Sequence, residues 1–247
     1  MAGVTRAGRS AARRLDGRVA LVAGADGETG RAIALGFARE GAKVALMSAP
    51  RDSGPDASAR HRHEPDPAVE RARARIEALG TPVMTIDGNP EGTECAFDAV
   101  RRTVETWGAI DALVLDSTER RGSDAAAIVR AARPYLGKGA LLANVVRSTG
   151  PANAPAGPTL VEHASIRAAR TGFLRSVLAE LAREGVLADG AGGAGRRSAF
   201  ARLRPGTGAL RGLGRHVLSL RDGRPEAVAA CVLHLARADA DWSGARD

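Results

Sequence analysis

The chain has 247 residues and a formal net charge of +8, with 44% hydrophobic, 26% charged and 3% aromatic residues. This length suits one α/β domain with its own hydrophobic core, and the composition is that of a globular rather than a disordered protein. No apolar run approaches the roughly 18 residues that cross a bilayer. Two cysteines, Cys95 and Cys231, are too few for a disulfide framework.

The positive charge comes almost entirely from arginine, since only Lys43 and Lys138 are lysines among the 36 basic residues. The arginines are spread along the whole chain, and the aromatic side chains that stack on bases are scarce. We therefore expect no nucleic-acid partner and no membrane partner. Because no apolar segment of export-signal length follows Arg13 and Arg14, the expected location is the cytoplasm.

Short apolar runs alternate with helical patterns after an Arg-rich leader, residues 1–14, which we expect to be disordered. The predicted strands are Val19–Ala23, Lys43–Met47, Pro82–Ile86, Ile110–Leu115, Ala140–Val146 and Ala199–Leu203. The predicted helices are Gly30–Glu40, Ala68–Leu79, Phe97–Trp107, Asp124–Tyr135, Val161–Arg183 and Pro225–Ala236. Ser48–Pro67 is predicted to be a long loop and Gly190–Gly195 a flexible linker. This alternation predicts one α/β domain over residues 15–247, a doubly wound parallel sheet in a three-layer α/β/α arrangement.

The segment between the first predicted strand and helix is a glycine turn, Gly24-Ala25-Asp26-Gly27-Glu28-Thr29-Gly30. Glycines in this context permit a tight turn, a close approach of a pyrophosphate to backbone N–H groups, and close packing of helix on strand. Ligands of doubly wound sheets bind beyond the carboxyl ends of the strands, near this turn. Gly24, Gly27 and Gly30 are therefore predicted to contact a dinucleotide.

The stretch Leu15–Gly24, continued in Arg31–Ala34 and Glu40–Val44, resembles the short-chain dehydrogenase/reductase family, most of all its 3-oxoacyl-ACP reductase-type members. The similarity extends over nearly the whole chain after residue 15. Further similar stretches are Trp107–Val114, Thr171–Ser176, Ala179–Leu181, Pro205-Gly206 and Pro225–Ala229. The resemblance implies a Rossmann-type fold, an NAD(P)-dependent oxidoreductase ancestry and a contact of Asp87 with adenine. It also implies that the seventh strand is truncated, because relatives continue into this strand where the present chain ends at Trp242–Asp247.

The family uses an Asn-Ser-Tyr-Lys set, in which the Tyr phenol exchanges the substrate proton and the Lys lowers the pKa of that Tyr. The present chain has one tyrosine, Tyr135, and Lys138 follows it by three residues rather than four. The family's Tyr-x-x-x-Lys spacing is therefore absent from the sequence. Alignment on Thr171-Gly172-Phe173 puts His163 at the Tyr position and Arg167 at the Lys position.

The other catalytic positions also differ from the family. The Ser position falls at Arg147 or, with a one-residue slip, at Ser148. Leu115-Asp116-Ser117-Thr118 replaces the Asn-Asn-Ala-Gly motif, and no Asn occurs between Asn89 and Asn144. We therefore expect the conventional hydride chemistry to be lost.

The phosphate turn carries two acids, Asp26 and Glu28. A carboxylate about 4 Å from a pyrophosphate charge costs about 4 kcal/mol at an effective dielectric constant of 20. Alternatively, the two acids satisfy the helix N-terminus in the place of a phosphate. If a dinucleotide binds, the lack of an acid at Ser48-Ala49, with Arg51 nearby, favours NADP(H). The alternative for Arg51 is a solvated loop arginine.

His163 and Arg167 are four residues apart and share one face of the predicted helix. His163 is a candidate general acid, and Arg167 would hold an oxyanion or a ribose. The alternative is that both are tolerated polar residues at positions without a function. Ser148, His163 and Asp116 form no convincing hydrolase triad because no nucleophile elbow surrounds Ser148. His61-Arg62-His63-Glu64 is interpreted as a solvated loop, so no metal site is expected.

These features favour a non-catalytic, reductase-like subunit or scaffold of acyl or polyketide-type metabolism. Such a chain would form a homo- or hetero-oligomer with a reductase-like partner, and NADP(H) binding would be weak or absent. The alternative is an enzyme that uses His163 and Arg167, either an NADP(H)-dependent ketone or 3-oxoacyl reductase or a redox-silent acid–base enzyme.

Overall fold

The computed structural model describes residues 13–49, 66–89, 92–116, 126–145, 186–192, 198–205 and 224–237. The strands in these ranges are β1 (Val19–Ala23), β2 (Lys43–Ser48), β3 (Val83–Asp87), β4 (Ile110–Asp116), β5 (Leu136–Val145), β6 (Val186–Gly192) and β7 (Ser198–Pro205). The helices are α1 (Glu28–Arg39), α2 (Pro67–Glu77), α3 (Thr93–Trp107), α4 (Ala126–Ala132) and α5 (Pro225–Arg237), and a 3₁₀ turn (Arg133–Tyr135) follows α4. None of these helices has the length and apolar character needed to cross a membrane.

The strands form one sheet in the order β3-β2-β1-β4-β5-β7-β6. Strands β1 to β5 are parallel, and the strand order reverses between β1 and β4. This reversal is the topological switch point at which ligands of open α/β sheets bind. The predicted Rossmann-type α/β fold is confirmed, and the carboxyl ends of β1 and β4 mark the candidate site.

The edge of the sheet beyond β5 differs from the predicted parallel pattern. Strand β7 pairs antiparallel with β5, and β6 pairs antiparallel with β7. Gly190–Gly192 belong to β6, so the predicted flexible linker is wrong for these three residues. They pair with Ala199–Ala201 of β7. Backbone N–H and C=O groups pair whatever the side chain is, so the neighbouring strand outweighs the low strand preference of glycine.

Strand β5 begins four residues before the predicted Ala140, and it includes Lys138, which the sequence analysis placed before the strand. The pairing with β4 is irregular here, because Ile110 faces Leu136 whereas Ala112 already faces Leu141. Extra residues in one of two paired strands form a bulge. The prediction missed this beginning because the Gly-Lys-Gly segment lacks the apolar pattern of a buried strand.

The sheet is covered on both faces by apolar side chains of the helices. Ile33 and Phe37 of α1 and Val232 of α5 belong to the core on one face. Val100 of α3 and Ile128 of α4 belong to the core on the other face. These two cores hold the three layers together. Leu15 is buried in the first core, and the predicted domain bounds stay a prediction. Residues 1–12 of the predicted leader, the predicted helix Val161–Arg183 and the chain end at Trp242–Asp247, where the seventh strand is expected to be truncated, lie outside the described residues.

Helices α1 and α5 approach closely at Gly36, where an added Cβ would lie 2.5 Å from Cδ1 of Leu233. We expect Gly36→Val to lower the free energy of unfolding by about 1–3 kcal/mol, because the extra methyl groups overfill the contact. Adding Leu233→Ala should recover part of this loss, so the double variant is more stable than the sum of the single effects predicts. Urea denaturation of the three variants measures this coupling. If the losses in the free energy of unfolding of the two single variants add up to that of the double variant, the contact between Gly36 and Leu233 is contradicted.

Candidate functional site

The glycine turn connects β1 to α1 at the carboxyl edge of the sheet. Gly24 has a φ of +99°, a left-handed conformation that favours glycine. The N–H groups of Gly24 and Ala25 both donate to the carbonyl of Met47, at 3.0 and 2.9 Å. The N–H group of Gly27 donates to the carbonyl of Gly24 at 3.0 Å. These bonds hold the turn against the end of β2, so it has a defined shape at the switch point.

Two glycines of the turn lie where no side chain fits. A Cβ on Gly24 would be 2.3 Å from the carbonyl oxygen of Asp116, the last residue of β4. A Cβ on Gly30 would be 2.3 Å from the carbonyl oxygen of Gly24. Both neighbours are backbone atoms, which cannot rotate away as a side chain does. The turn, the first turn of α1 and the end of β4 are therefore packed as one unit.

The side chain of Asp116 reaches from β4 to the first turn of α1. Its Oδ2 atom accepts a hydrogen bond of 2.7 Å from the backbone N–H of Gly30, and the residue is only 6% exposed. Gly30 is the third residue of α1. Its N–H is therefore one of the first four, which have no acceptor within their own helix. Asp116 caps α1 from a different strand.

The acids of the turn itself lie closer to solvent. Asp26 is half-buried, and Glu28, the first residue of α1, is exposed. One basic side chain lies beside them. Arg31 Nη1 donates hydrogen bonds to the backbone carbonyl oxygens of Ala25 at 3.0 Å and Asp26 at 2.5 Å, which places a positive charge at the turn. The turn and its surroundings therefore combine three carboxylates with one guanidinium.

The carboxyl ends of β2 and β3 complete the described part of this edge. Asp87 is the last residue of β3, is exposed, and lies opposite Ser48 of β2 in the strand register. The N–H of Gly88 donates to the carbonyl of Ser48 at 2.9 Å. Asp87 is thus at the edge where the family resemblance places it, two strands from the glycine turn. Its contact with adenine stays a prediction.

Several predicted site residues lie outside the described residues, namely Arg51, Ser148, His163, Arg167 and the segment His61–Glu64. Of the predicted cofactor residues, the structure brings together Gly24, Gly27 and Gly30. Tyr135 ends the 3₁₀ turn directly before β5 and is 45% exposed. Within the described ranges, no three His, Cys, Asp or Glu side chains lie close enough to hold a metal ion.

The contact of Asp116 with α1 was not predicted from the sequence, where the residue belongs to the stretch that replaces the family's Asn-Asn-Ala-Gly motif and to an unconvincing hydrolase triad. The available signal was an acid at the end of β4, in the position of the family's Asn-Asn-Ala-Gly motif. The predicted alternative, in which acids satisfy the N-terminus of α1, assigned this task to Asp26 and Glu28. A carboxylate does meet an N–H group there, and it is that of Asp116.

The two cysteines lie on different helices. Cys231 lies on α5, and burial raises the pKa of its thiol. A raised pKa keeps the thiol protonated and poorly nucleophilic near neutral pH. Cys95 lies near the start of α3, where its Sγ packs beside Gly88 and Gly92.

Comparison with known proteins gives sequence relatives that are oxidoreductases by name. No protein-family model matches the chain. It is 28% identical over 193 residues to the uncharacterized oxidoreductase YhxD of Bacillus subtilis, which covers 70% of this chain and 59% of that protein. It is 36% identical over 100 residues to an L-rhamnose 1-dehydrogenase (NAD(P)(+)) of Sphingomonas, covering 40% of this chain and 34% of that enzyme. The chain thus spans about three fifths of the length of YhxD.

Solved structures share the fold. A short chain dehydrogenase from Burkholderia cenocepacia in complex with NADP matches with a TM-score of 0.59 at 21% identity, over 90% of this chain and 91% of that one. The carveol dehydrogenase from Mycobacterium avium in complex with NAD matches with a TM-score of 0.52 at 20% identity, over 69% of this chain and 68% of that one. The resemblance to the short-chain dehydrogenase/reductase family is confirmed.

The backbone of the glycine turn fits the dinucleotide cofactor of short-chain dehydrogenases/reductases, whereas the charged side chains around the turn do not. The left-handed Gly24 and the close contact between Gly30 and Gly24 give the tight strand–turn–helix geometry that such a dinucleotide requires. Pyrophosphate is an anion, and the turn surrounds the helix N-terminus with Asp26, Glu28 and Asp116. These carboxylates therefore disfavour the binding of a pyrophosphate.

Proposed function

We propose that this chain is a non-catalytic, short-chain dehydrogenase/reductase-type subunit or scaffold in which NADP(H) binding is weak or absent. The observation that carries the proposal is the buried carboxylate of Asp116 on the N–H of Gly30, with Asp26 and Glu28 beside it. In a dinucleotide-binding domain, the N-terminal end of this helix supplies free N–H groups and positive potential to the pyrophosphate. Here the Asp116 carboxylate already accepts from one of these N–H groups and offsets part of the positive potential.

The proton-transfer groups support the same proposal. The single tyrosine, Tyr135, is followed by β5 and by Lys138 at the wrong spacing. A positioned general acid contributes about 10²–10⁴-fold to the rate, and hydride transfer itself belongs to the cofactor. A chain without the Tyr–Lys pair loses this contribution even when a dinucleotide is present.

We also propose the setting of this subunit. It forms a homo- or hetero-oligomer with a reductase-like partner in acyl or polyketide-type metabolism, in the cytoplasm, without nucleic-acid or membrane partners. If the chain supports an active reductase, that reductase should co-purify with it and lose activity when this chain is removed. A reductase whose activity is unchanged by the removal would contradict the subunit role.

The second candidate is an atypical NADP(H)-dependent oxidoreductase or a redox-silent acid–base enzyme. The names of the relatives, which include oxidoreductases and dehydrogenases, favour it. In this candidate His163 is the general acid, Arg167 holds an oxyanion or the ribose, Ser148 assists the substrate, and Arg51 contacts the 2′-phosphate of NADP(H).

The two candidates differ in turnover. We expect the purified protein to show no NAD(P)H oxidation above background with an acetoacetyl thioester or a decalone, because the sequence lacks the Tyr-x-x-x-Lys spacing that supplies the substrate proton in the family. His163→Tyr with Arg167→Lys should not restore activity, since the Asn and Ser positions remain changed. Turnover that His163→Ala abolishes, with fold and cofactor affinity intact, would establish the enzyme instead.

A further inference from the structure

We propose that Asp116 sets the dinucleotide affinity of this fold by placing a buried negative charge directly beneath the phosphate turn. This inference rests on the proposed function, because it names the residue that makes the glycine turn a poor pyrophosphate site. The juxtaposition that carries it is the 2.7 Å bond from the Gly30 N–H to Asp116 Oδ2.

The position of the carboxylate is fixed by the surrounding backbone. Asp116 ends β4, which pairs with β1 directly before the turn, where Leu115 lies opposite Ala23. Gly24 packs so closely on Asp116 that an added Cβ would overlap its carbonyl oxygen. Because β4 packs directly against the turn, the side chain of Asp116 lies within hydrogen-bond reach of the first turn of α1.

The electrostatic effect follows from the position of Gly30 in α1. A helix N-terminus has a potential equivalent to about half a positive charge, concentrated in its first turn. Asp116 places a whole negative charge on the third N–H of that turn. Salt screens buried charges much less than exposed ones. The carboxylate therefore outweighs the helix potential.

Three further charged side chains of the described residues lie at the turn. Asp26 and Glu28 add negative charge, and Arg31 adds one positive charge, which contacts the carbonyl oxygens of Ala25 and Asp26. Two net negative charges remain among these four side chains.

A purely structural role for Asp116 makes a different prediction. If the side chain only caps the Gly30 N–H, an asparagine amide oxygen serves as acceptor equally well, and the negative charge has no effect on ligands. The variant Asp116→Asn separates the two roles because it keeps the acceptor and removes the charge. Asp116→Ser is a second neutral variant with a hydroxyl acceptor.

A suitable control lies at the other end of the same strand. Asp111 is also partly buried in β4, where its carboxylate accepts from the Val19 N–H at 2.9 Å and pairs with Arg18 at 3.1 Å. Asp111→Asn therefore makes the same change of net charge, in the same strand, remote from the glycine turn. It controls for the overall charge of the protein.

The experiment measures dissociation constants of NADPH and of adenosine, which has no phosphate, for the unmodified protein and the three variants. We expect Asp116→Asn to tighten NADPH binding about tenfold, with Asp116→Ser acting in the same direction. Adenosine affinity should stay within about twofold, and Asp111→Asn should change neither ligand by more than that.

The inference is overturned if Asp116→Asn leaves NADPH binding unchanged, weakened or undetectable, or if adenosine binding tightens equally. If Asp116→Asn does not fold, Asp116→Ser decides by the same criteria. Failure of both to fold would make the carboxylate a folding requirement and also overturn it. Micromolar NADPH binding by the unmodified protein would overturn the proposed function. A ratio of NADPH affinity to adenosine affinity that is the same in Asp116→Asn as in the unmodified protein would overturn only the role of Asp116.

Discussion

Gly24→Ala is expected to lower the free energy of unfolding by about 3 kcal/mol or more, which is a large part of the stability of a typical domain. Two costs add at this position. The left-handed φ of +99° is unfavourable for any residue with a Cβ, by about 1–2 kcal/mol. The new Cβ would also lie 2.3 Å from the backbone oxygen of Asp116, and overpacking of this kind costs about 1–3 kcal/mol. Urea denaturation followed by circular dichroism measures the loss.

Gly80→Ala is the matched control for this prediction. Gly80 also has a left-handed φ, of +70°, but an added Cβ there would meet nothing within 4 Å. It carries only the conformational cost, about 1–2 kcal/mol. Equal losses for the two variants would show that the turn does not pack against the end of β4.

Replacing both acids of the turn, with Glu28→Gly and Asp26→Ser, is expected to strengthen NADPH binding more than tenfold. Each carboxylate near a pyrophosphate costs up to about 4 kcal/mol at an effective dielectric constant of 20. Solvent reduces this cost for Glu28, which is exposed, more than for Asp26, which is half-buried. Quenching of protein fluorescence during NADPH titration gives the two dissociation constants.

Glu94→Gly with Asp98→Ser removes the same two charges from the N-terminal half of α3. Glu94 is the acid in the first turn of that helix, as Glu28 is in α1. We expect this pair to leave NADPH affinity within about twofold, because these acids belong to α3 and not to the helix that begins at the glycine turn, and salt screens charges outside the site. A gain of similar size in both double variants would show that overall charge, not the turn, limits binding.

Strands β1 and β2 were predictable because they are buried on both faces. Val19–Ala23 is a continuous apolar run, and the structure has β1 at these same residues with every one buried. Strand β7 contains the predicted strand Ala199–Leu203. Strand β6 was not predicted, because its Ala- and Gly-rich residues have no periodic pattern and their conformation depends on the pairing with β7.

The candidate site was predictable only in its local part. The spacing of Gly24, Gly27 and Gly30 between a strand and a helix indicates the turn without further information. The contact of Asp116 with Gly30 joins residues 86 positions apart. Its prediction requires knowing that β4 lies next to β1 and that the last side chain of β4 points toward α1. Neither follows from the local pattern around Asp116.

Titration of the unmodified protein with NADPH, at physiological ionic strength, tests the central claim most directly. Isothermal calorimetry measures the affinity whether or not any reaction follows. The charges at Asp26, Glu28 and Asp116 predict no saturation up to about 100 μM NADPH, a concentration well above the low micromolar range. A dissociation constant in the low micromolar range would contradict the account, because it would show that this glycine turn holds a pyrophosphate despite its three carboxylates.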